Sequence, residues 1–300
     1  IALAGPIGAQ SVSRLELDAG RIPWSELSFQ AQNLFVTAFN KVRLSSFPAA
    51  EIEKSLIQSP KGRSLQASGS RIHSLTVETA IDPIFRSPVK LSNEIWFDSR
   101  AAVALGGVRT RRGEDDFDRV YRFTREGVYR LQREPAGHQE ASLASEQWSR
   151  VRETFYPYGF AQLECPYVSE VSLLIYVVSS AVVSQAAEPL SLYVFGKRRL
   201  HHVRLRAAGL TPLEVDYLEK SQSHQIQKKH TVDALRIALE TQPLGSDDDN
   251  ERFSFFGFQK DICFYLDPTT RIPFGVSGTI PSAGEVSLKL REVKLRRRGD

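Results

Sequence analysis

The sequence has little cysteine and no methionine. Among its 300 residues only Cys165 and Cys263 are cysteines. Two cysteines are too few for a disulfide framework, and the absence of a Cys-x-x-Cys pair removes the usual spacing of zinc and dithiol redox sites. A chain of this length buries enough apolar surface to fold without cross-links. We therefore interpret both cysteines as buried thiols, with one disulfide as the alternative. Nothing in the composition explains the absence of methionine.

Long apolar runs are also missing. No stretch of about 18 consecutive apolar residues occurs, so no transmembrane span is predicted. The small apolar run IALAGPIGA nevertheless opens residues 1–10, which we interpret as the last part of a secretory signal or as a flexible N-terminus. Residues 11–295 are expected to form a single β-rich domain, followed by a basic C-terminal tail at 296–300.

The sequence lacks a strong charge excess and the common catalytic motifs. Its 39 basic and 35 acidic residues give a net charge of +4, and the basic residues are spread along the chain, so no nucleic-acid partner is predicted. A Gly-x-Ser-x-Gly elbow and a Walker phosphate loop are absent. His201 and His202 are adjacent and point to opposite strand faces, which does not suit a metal. We predict no metal, no cofactor and no catalytic residue.

Alternation of apolar and polar residues dominates the chain. Leu75 and Val77 share one parity, as do Leu235, Ile237 and Leu239. This period is typical of strands with one buried face. At least ten such segments, separated by Gly, Pro and Asp turns, predict a mainly β fold. We expect a large curved antiparallel sheet or open barrel with a few short helices.

Turn residues predict hairpins within this sheet. Segments 117–124 and 128–133 are separated by Arg125, Glu126 and Gly127, and a second hairpin is expected around Arg112 and Gly113. The polar stretch 221–230 is interpreted as a hairpin tip.

Three segments show helical spacing. Apolar residues recur three and four apart in 168–182, although the valine content leaves a strand as the alternative. Ile52 and Leu56 suggest a short helix in 49–56. Trp148, Val151 and Phe155 suggest another in 143–156.

Two features carry the candidate site residues. The aromatic run from Phe155 to Phe160 offers Tyr156, Tyr158 and Phe160 as ligand contacts, with core packing at a sheet edge as the alternative. Arg204 and Arg206 share one strand face and are candidate headgroup contacts. The charged cluster at 109–122 is interpreted as a solvated hairpin with cross-strand Arg–Asp pairs, although adjacent carboxylates can also bind Ca²⁺ or act as acid and base.

A set of strand and turn motifs resembles a known protein family. The motifs are Ile95–Asp98, Asp115–Phe117, Val120–Phe123, Arg133–Pro135, Tyr265–Asp267, Arg271–Pro273 and Gly284–Val286. Together, over roughly Phe29 to Val293, they resemble an uncharacterised family of bacterial exported proteins with a domain of unknown function. The resemblance implies a periplasmic or outer-envelope location and a curved sheet similar to the open barrels of lipoprotein carriers. It implies no catalytic residues.

Three functions are compatible with these features. The leading hypothesis is a non-enzymatic envelope protein that binds or carries a lipid or other amphiphile in its concave face. The alternative is an interaction protein that docks an envelope protein partner on a sheet edge or on the Phe-rich segment 253–258. The third is a carbohydrate-active enzyme that uses paired carboxylates such as Asp115 and Asp118.

Overall fold

The protein is mainly β in the computed structural model, which describes residues 17–32, 36–83, 87–113, 115–159, 167–182, 188–244, 252–281 and 283–296. Fifteen strands in these ranges form one sheet. The strands are β1 (Trp24–Gln32), β2 (Val36–Pro48), β3 (Arg71–Pro83), β4 (Val89–Asp98), β5 (Val103–Arg112), β6 (Phe117–Phe123), β7 (Gly127–Glu134), β8 (Arg150–Pro157), β9 (Val168–Glu170), β10 (Leu190–Phe195), β11 (Leu200–Lys220), β12 (Gln225–Pro243), β13 (Lys260–Leu266), β14 (Pro273–Ile280) and β15 (Gly284–Leu295). The helices are α1 (Ala49–Ser55), α2 (His138–Ala141) and α3 (Leu174–Ser180), with 3₁₀ turns at Ala19–Arg21, Ser145–Gln147 and Val171–Leu173. None of the helices in the described ranges has both the length and the apolar character needed to cross a lipid bilayer.

The sheet consists of two antiparallel meanders joined at the first and last strands of the chain. β1 to β8 lie side by side in chain order, and β15 back to β10 continue on the other side of β1. At the joint, Leu27 of β1 lies opposite Val293 of β15. Two short parallel contacts, β9 with β10 and β11 with β15, interrupt the antiparallel pattern. The predicted large antiparallel sheet with a few short helices is confirmed.

The sheet curves until its two ends overlap. The ring of Phe195 in β10 lies 6.0 Å from that of Phe123 in β6 and 5.8 Å from that of Tyr156 in β8. One end of the second meander therefore packs over the inner face of the first. Buried side chains of both meanders join one core cluster, which includes Val42, Leu75, Phe97, Val203, Ile237, Phe264 and Leu288.

The helix α3 lies inside the curve of the sheet. All seven of its side chains are buried. The Tyr176 hydroxyl donates to the carbonyl of Ser99 at 2.8 Å, and its ring meets Phe97 edge-on with centroids 4.8 Å apart. The hydroxyls of Ser179 and Ser180 each donate to a carbonyl one turn earlier, so both are satisfied within the helix. A helix without a polar face is stable only when it is surrounded by protein.

The segment predicted as helix or strand at 168–182 contains both. Val168–Glu170 is the parallel strand β9, which pairs with 193–195 of β10. The chain then turns because the Glu170 carboxylate accepts a hydrogen bond from the backbone N–H of Ser172 at 2.7 Å. A 3₁₀ turn and α3 follow. The first three residues of the segment pair with the sheet, and the helical turns begin where that pairing ends.

The prediction of a helix over 143–156 is wrong. Only Ser145–Gln147 is helical, as a 3₁₀ turn, and β8 follows. Trp148 is buried at the turn, where its indole N–H donates to the carbonyl of Glu140 at 2.7 Å. Residues 150–157 pair along their whole length with β7. Cross-strand pairing outweighs the helical spacing here, because β-branched and aromatic residues suit a pleated surface.

The predicted helix at 49–56 is confirmed as α1, and it lies on the outer face of the first meander. Ile52 and Leu56 form a second buried cluster with Ile72 and Leu105. Both faces of this part of the sheet are thereby covered.

Both predicted hairpins are confirmed. Between β6 and β7 the Thr124 hydroxyl accepts a hydrogen bond from the N–H of Gly127 at 3.0 Å. Between β5 and β6 the chain requires Gly113, whose φ is +121° and where a Cβ would lie 2.6 Å from the carbonyl oxygen of Pro88. Local turn chemistry therefore sets these connections.

One of the two cysteines lies within the described residues. Cys263 is a buried free thiol in β13, where its sulfur lies 3.6 Å from a guanidinium nitrogen of Arg236. Cys165 lies outside the described residues.

His201 and His202 face opposite sides of β11, as predicted. His201 is 1% exposed and meets Phe253 edge-on at 5.3 Å. On the other face His202 lies 5.6 Å from the ring of Tyr193. Burial, with the charge of Arg199 nearby, lowers the pKa of His201 from 6.5 to about 4.

We expect Val177→Ala in α3 to lower the free energy of unfolding by about 2 kcal/mol, because it removes buried methyl groups and leaves a cavity. Val182→Ala makes the same change in a side chain that is 64% exposed. Its effect should stay within about 0.5 kcal/mol. Urea unfolding measures both variants, and equal losses would contradict the burial of α3.

We also expect the protonation of His201 to weaken the fold in acid. Because its folded pKa of about 4 lies below the unfolded 6.5, the unfolded chain takes up the proton first, so the stabilisation is complete above about pH 6.5 and is lost as pH falls toward 4. His201→Phe should reduce the stability lost between pH 7 and 5 by about 2 kcal/mol. The exposed His138→Phe is the control in urea unfolding at each pH. Identical pH profiles for the two variants would refute a buried neutral His201.

Candidate functional site

The long hairpin of β11 and β12 reaches from the main sheet to β15. β11 is bent by a bulge between Ala207 and Leu210, where Gly209 adopts a φ of +98°. Beyond the bulge, residues 218–220 pair in parallel with 292–294 of β15. Since β11 to β15 are also paired in chain order, these five strands form a closed ring. The polar segment predicted as a hairpin tip is mostly strand, and only 221–224 form the turn.

A cavity of about 690 Å³ opens beside this ring closure. We call it the β11–β15 cavity. Its lining comes from residues 211–217, 229–231, Tyr265, 274–276 and 287–291. Its volume falls within the usual range of small-molecule sites.

The floor of the β11–β15 cavity is apolar. It is formed by core side chains that are less than 10% exposed, namely Val215, Tyr217, Phe274, Val276, Leu288 and Leu290. Tyr217 and Phe274 lie 5.9 Å apart, ring to ring. Burial, followed by the charges of Glu219 and Asp267, raises the pKa of Tyr217 to about 12, so its hydroxyl stays neutral at physiological pH. Gly275 lets β14 approach β15 closely, because a Cβ there would lie 2.6 Å from the carbonyl oxygen of Leu288.

The rim of the cavity is charged. Asp216 lies 3.7 Å from the ammonium of Lys229 and accepts a hydrogen bond from Gln227 at 2.6 Å. The Nε of Arg291 donates to the amide oxygen of Gln30 at 3.2 Å. Lys289 forms no ion pair with any residue in the described ranges. The part of the lining formed by β15 therefore includes two cationic residues, and neither forms an ion pair within the described residues.

The aromatic residues predicted as ligand contacts lie elsewhere. Tyr158 is buried, and its hydroxyl donates to the carbonyl of Thr124 at 3.2 Å. Tyr156 is half-buried, between Phe195 and the guanidinium of Arg130, which lies 5.0 Å above its ring. Phe160 lies outside the described residues. None of the described lining of the β11–β15 cavity comes from this segment.

The two predicted headgroup arginines lie on β11 before its bulge. They point away from the core residues Val203 and Leu205. The guanidinium of Arg206 lies 3.9 Å from Glu240, and both side chains are more than half exposed. Arg204 lies beside His202 and is one cause of that ring's lowered pKa, after burial. That these arginines and Tyr156 bind a ligand stays a prediction.

The residues of the carbohydrate-active enzyme and interaction-protein hypotheses are the acidic pair Asp115 and Asp118 and the Phe-rich segment 253–258. Asp118 lies 2.6 Å from the guanidinium of Arg112, one of the expected Arg–Asp pairs. Asp115 lies in the exposed turn with a φ of +54°. In the Phe-rich segment, Phe253, Phe255 and Phe258 are buried core residues. Among the described residues no group of His, Cys, Asp and Glu could hold a metal ion.

The sequence pattern identifies the strands that line the cavity, but it does not indicate that these strands come together. Val215 and Tyr217 alternate, as do Val286, Leu288 and Leu290, which marks both segments as strands. The lone Gly209 is the type of residue that marks a bulge in a strand. Nothing local indicates that the bent strand then pairs with β15. Cavities between strands that are distant in sequence depend on such non-local pairing.

Comparison with known proteins shows one remote structural likeness. No protein-family model matches the chain, and no curated protein matches it. A solved structure of a β-barrel-like protein of the domain of unknown function DUF1849 from Brucella abortus is similar, with 8% sequence identity and a TM-score of 0.44. The similarity covers 92% of this chain and 98% of that one. The strand pairings define the fold. Export to the envelope stays a prediction.

We expect Tyr158→Phe to destabilise the fold by about 1 kcal/mol, because it removes the buried hydrogen bond to Thr124. Urea unfolding measures the loss. Binding of an amphiphile should remain unchanged, because Tyr158 does not line the β11–β15 cavity. A variant with unchanged stability and weakened binding would instead make Tyr158 a ligand contact.

Proposed function

We propose that the protein binds an anionic amphiphile, such as a fatty acid or another single-chain lipid, in the β11–β15 cavity. The observation that carries the proposal is the combination of a buried apolar floor with a rim that holds Lys289 and Arg291. An apolar chain fits the floor, and an anionic headgroup fits the cations. The apolar floor favours binding, and the acidic and basic groups Asp216 and Lys229 at the rim pair with each other.

Hydrophobic burial would supply most of the affinity. Each buried methylene contributes about 0.8 kcal/mol, so an eight-carbon chain gains about 6 kcal/mol before the costs of immobilisation. An exposed lysine adds at most about 1 kcal/mol. The rim therefore selects the charge of the headgroup, and the floor holds the chain.

The proposal moves the ligand away from the concave face of the main sheet. That face packs against α3, whose side chains are all buried. A chain bound there would have to displace the helix and break the hydrogen bond between Tyr176 and Ser99. The β11–β15 cavity is already open and requires no such rearrangement.

The proposal includes the cellular compartment in which the protein binds the amphiphile. A periplasmic or outer-envelope location, which the family resemblance implies, would put the protein where lipids cross an aqueous compartment. An envelope protein that delivers or receives the amphiphile is the partner class that such a role requires. Fractionation of the native host measures the location, and a purely cytosolic protein would refute this part of the proposal.

Titration with a fluorescent fatty-acid analogue tests the cavity. Leu213 lines it and is only partly buried, so Leu213→Trp should fill space without breaking the core. We expect this variant to bind at least tenfold more weakly, on the order of the burial lost. Lys289→Glu should weaken the binding of the fatty acid about two- to fivefold and leave the binding of a neutral monoacylglycerol unchanged.

The matched control is Lys61→Glu, which makes the same charge change at an exposed position between α1 and β3. It should bind both probes as the unmodified protein does. Wild-type affinity in Leu213→Trp would refute the cavity as the binding site. If both lysine variants weaken fatty-acid binding equally, the effect of Lys289 comes from the net charge of the protein and not from its position at the rim.

A further inference from the structure

The charged cluster at 109–122 is sorted by strand alternation onto two faces of the sheet. Arg109 and Arg119 lie directly opposite each other in the β5–β6 register. They share the inner face with Tyr121, which belongs to the core cluster. Arg111 and Phe117 form the next pair on that face, whereas Arg112, Asp118 and Arg122 lie on the outer face. The single run of charges in sequence is therefore two separate sets in space.

The arginines of the outer face have partners. Arg112 pairs with Asp118 at 2.6 Å. Arg122 donates to the carbonyls of Leu105 at 2.8 Å and Leu65 at 3.0 Å. This face contains the cross-strand pairing that the sequence predicts.

The arginines of the inner face are less well paired with acidic groups of the described residues. We call Arg109, Arg111, Arg119 and Arg130 the inner arginine cluster. None of the four forms a salt bridge within the described residues. Arg119 lies 3.9 Å over the ring of Phe117 and donates from Nε to the amide oxygen of Gln132 at 2.9 Å. These contacts orient its guanidinium and leave its charge uncompensated.

Arg130 is the most unusual member of the inner arginine cluster. Its side chain is 7% exposed, and its Nε is buried without a hydrogen-bond partner among the described residues. Its one contact of note is the stacking over Tyr156 at 5.0 Å. A buried guanidinium without an anion is costly, because desolvation is not offset by a partner charge. Among the described residues, no anion offsets the charge of this guanidinium.

The register brings the cluster members close together. Tyr121 pairs with Arg130 on β7, two residues along from the pair of Arg119 with Gln132. Both pairs lie on the same face, so Arg119 and Arg130 are diagonal neighbours. Like charges at such positions repel. Burial chiefly lowers the pKa of Arg119; the neighbouring Tyr121 raises it, and the charges of Arg130 and Arg109 lower it further. The fold maintains this repulsion.

Two carboxylates face the cluster, and neither neutralises it. Glu170 is buried, and its carboxylate accepts from Ser172 at 2.7 Å and from Asn93 at 3.4 Å. Burial raises its pKa, which the hydrogen bonds from Ser172 and the charge of Arg109 partly offset, and it forms no salt bridge with the cluster. Glu134 accepts a hydrogen bond from Gln132. The exposed Arg150 and Arg152 add two further positive charges on the same face of β8. Positive charge is therefore in excess at this surface.

We propose that the inner arginine cluster binds a phosphate-type oxyanion, with Arg119 and Arg130 as its principal donors. The planar guanidinium group matches phosphate oxygens in bidentate geometry, and several arginines suit a dianion better than a single carboxylate. The phosphate belongs to a small phosphorylated molecule or to the headgroup of a lipid. The site lies on β5 to β8 and shares no residue with the β11–β15 cavity.

Calorimetric titration with inorganic phosphate, in chloride buffer of matched ionic strength, tests the site. We expect saturable binding that Arg119→Gln and Arg130→Gln each weaken at least tenfold. Arg133→Gln is the matched control, because Arg133 lies on the same strand as Arg130 and points to the other face. It should change the dissociation constant less than twofold. If Arg130→Gln does not fold, the half-buried Arg119→Gln alone decides the test.

Short-chain phosphatidic acid below its micelle concentration identifies the source of the phosphate. Tighter binding than inorganic phosphate indicates a lipid headgroup, equal binding indicates a soluble phosphate, and both support the site. Absence of saturable phosphate binding, or equal weakening by all three arginine variants, would overturn it. Leu213→Trp should leave phosphate binding unchanged, so failure of the cavity proposal and failure of this one are separable.

Discussion

The burial of α3 inside the curved sheet is the interaction on which the rest of the structure depends. The helix lies in the chain between the two meanders, and it has no polar face. Both meanders must therefore curve around it to remove it from water, which is the dominant favourable term in folding. Phe97 from the first meander contacts Tyr176 directly, and β10 of the second closes over β6 and β8. Curvature follows from the need to cover this helix.

This constraint also decides where ligands can bind. Because α3 and β10 cover the inner face, the open space lies instead where β11 bends away and meets β15. Beyond the part of the inner face that the aromatic residues cover, strand alternation places arginines side by side that form no salt bridges with the described residues. The apolar cavity and the inner arginine cluster are thus two separate consequences of how one sheet is wound.

Local patterns predicted much of the fold and little of the site. Period-two alternation and glycine turns such as Gly113 identified strands and hairpins, because these depend on nearby residues. The helical spacing of Trp148, Val151 and Phe155 gave a wrong prediction, because pairing with β7 determines that residues 150–157 form a strand. The joint of β1 with β15 connects the two ends of the chain, and no local signal encodes it. Arg130 and Tyr156 meet only through the register of β7 and β8, so their stacking was equally hidden.

Crystals grown with a bromine-labelled fatty acid would test the central claim most directly. Anomalous scattering locates the bromine without any assumption about the pose. We expect the signal in the β11–β15 cavity, against Leu213, Tyr217 and Leu288, with α3 in place. A bromine position inside the curved sheet, with α3 displaced from Phe97, would contradict both the placement of the ligand and the structural role of the helix.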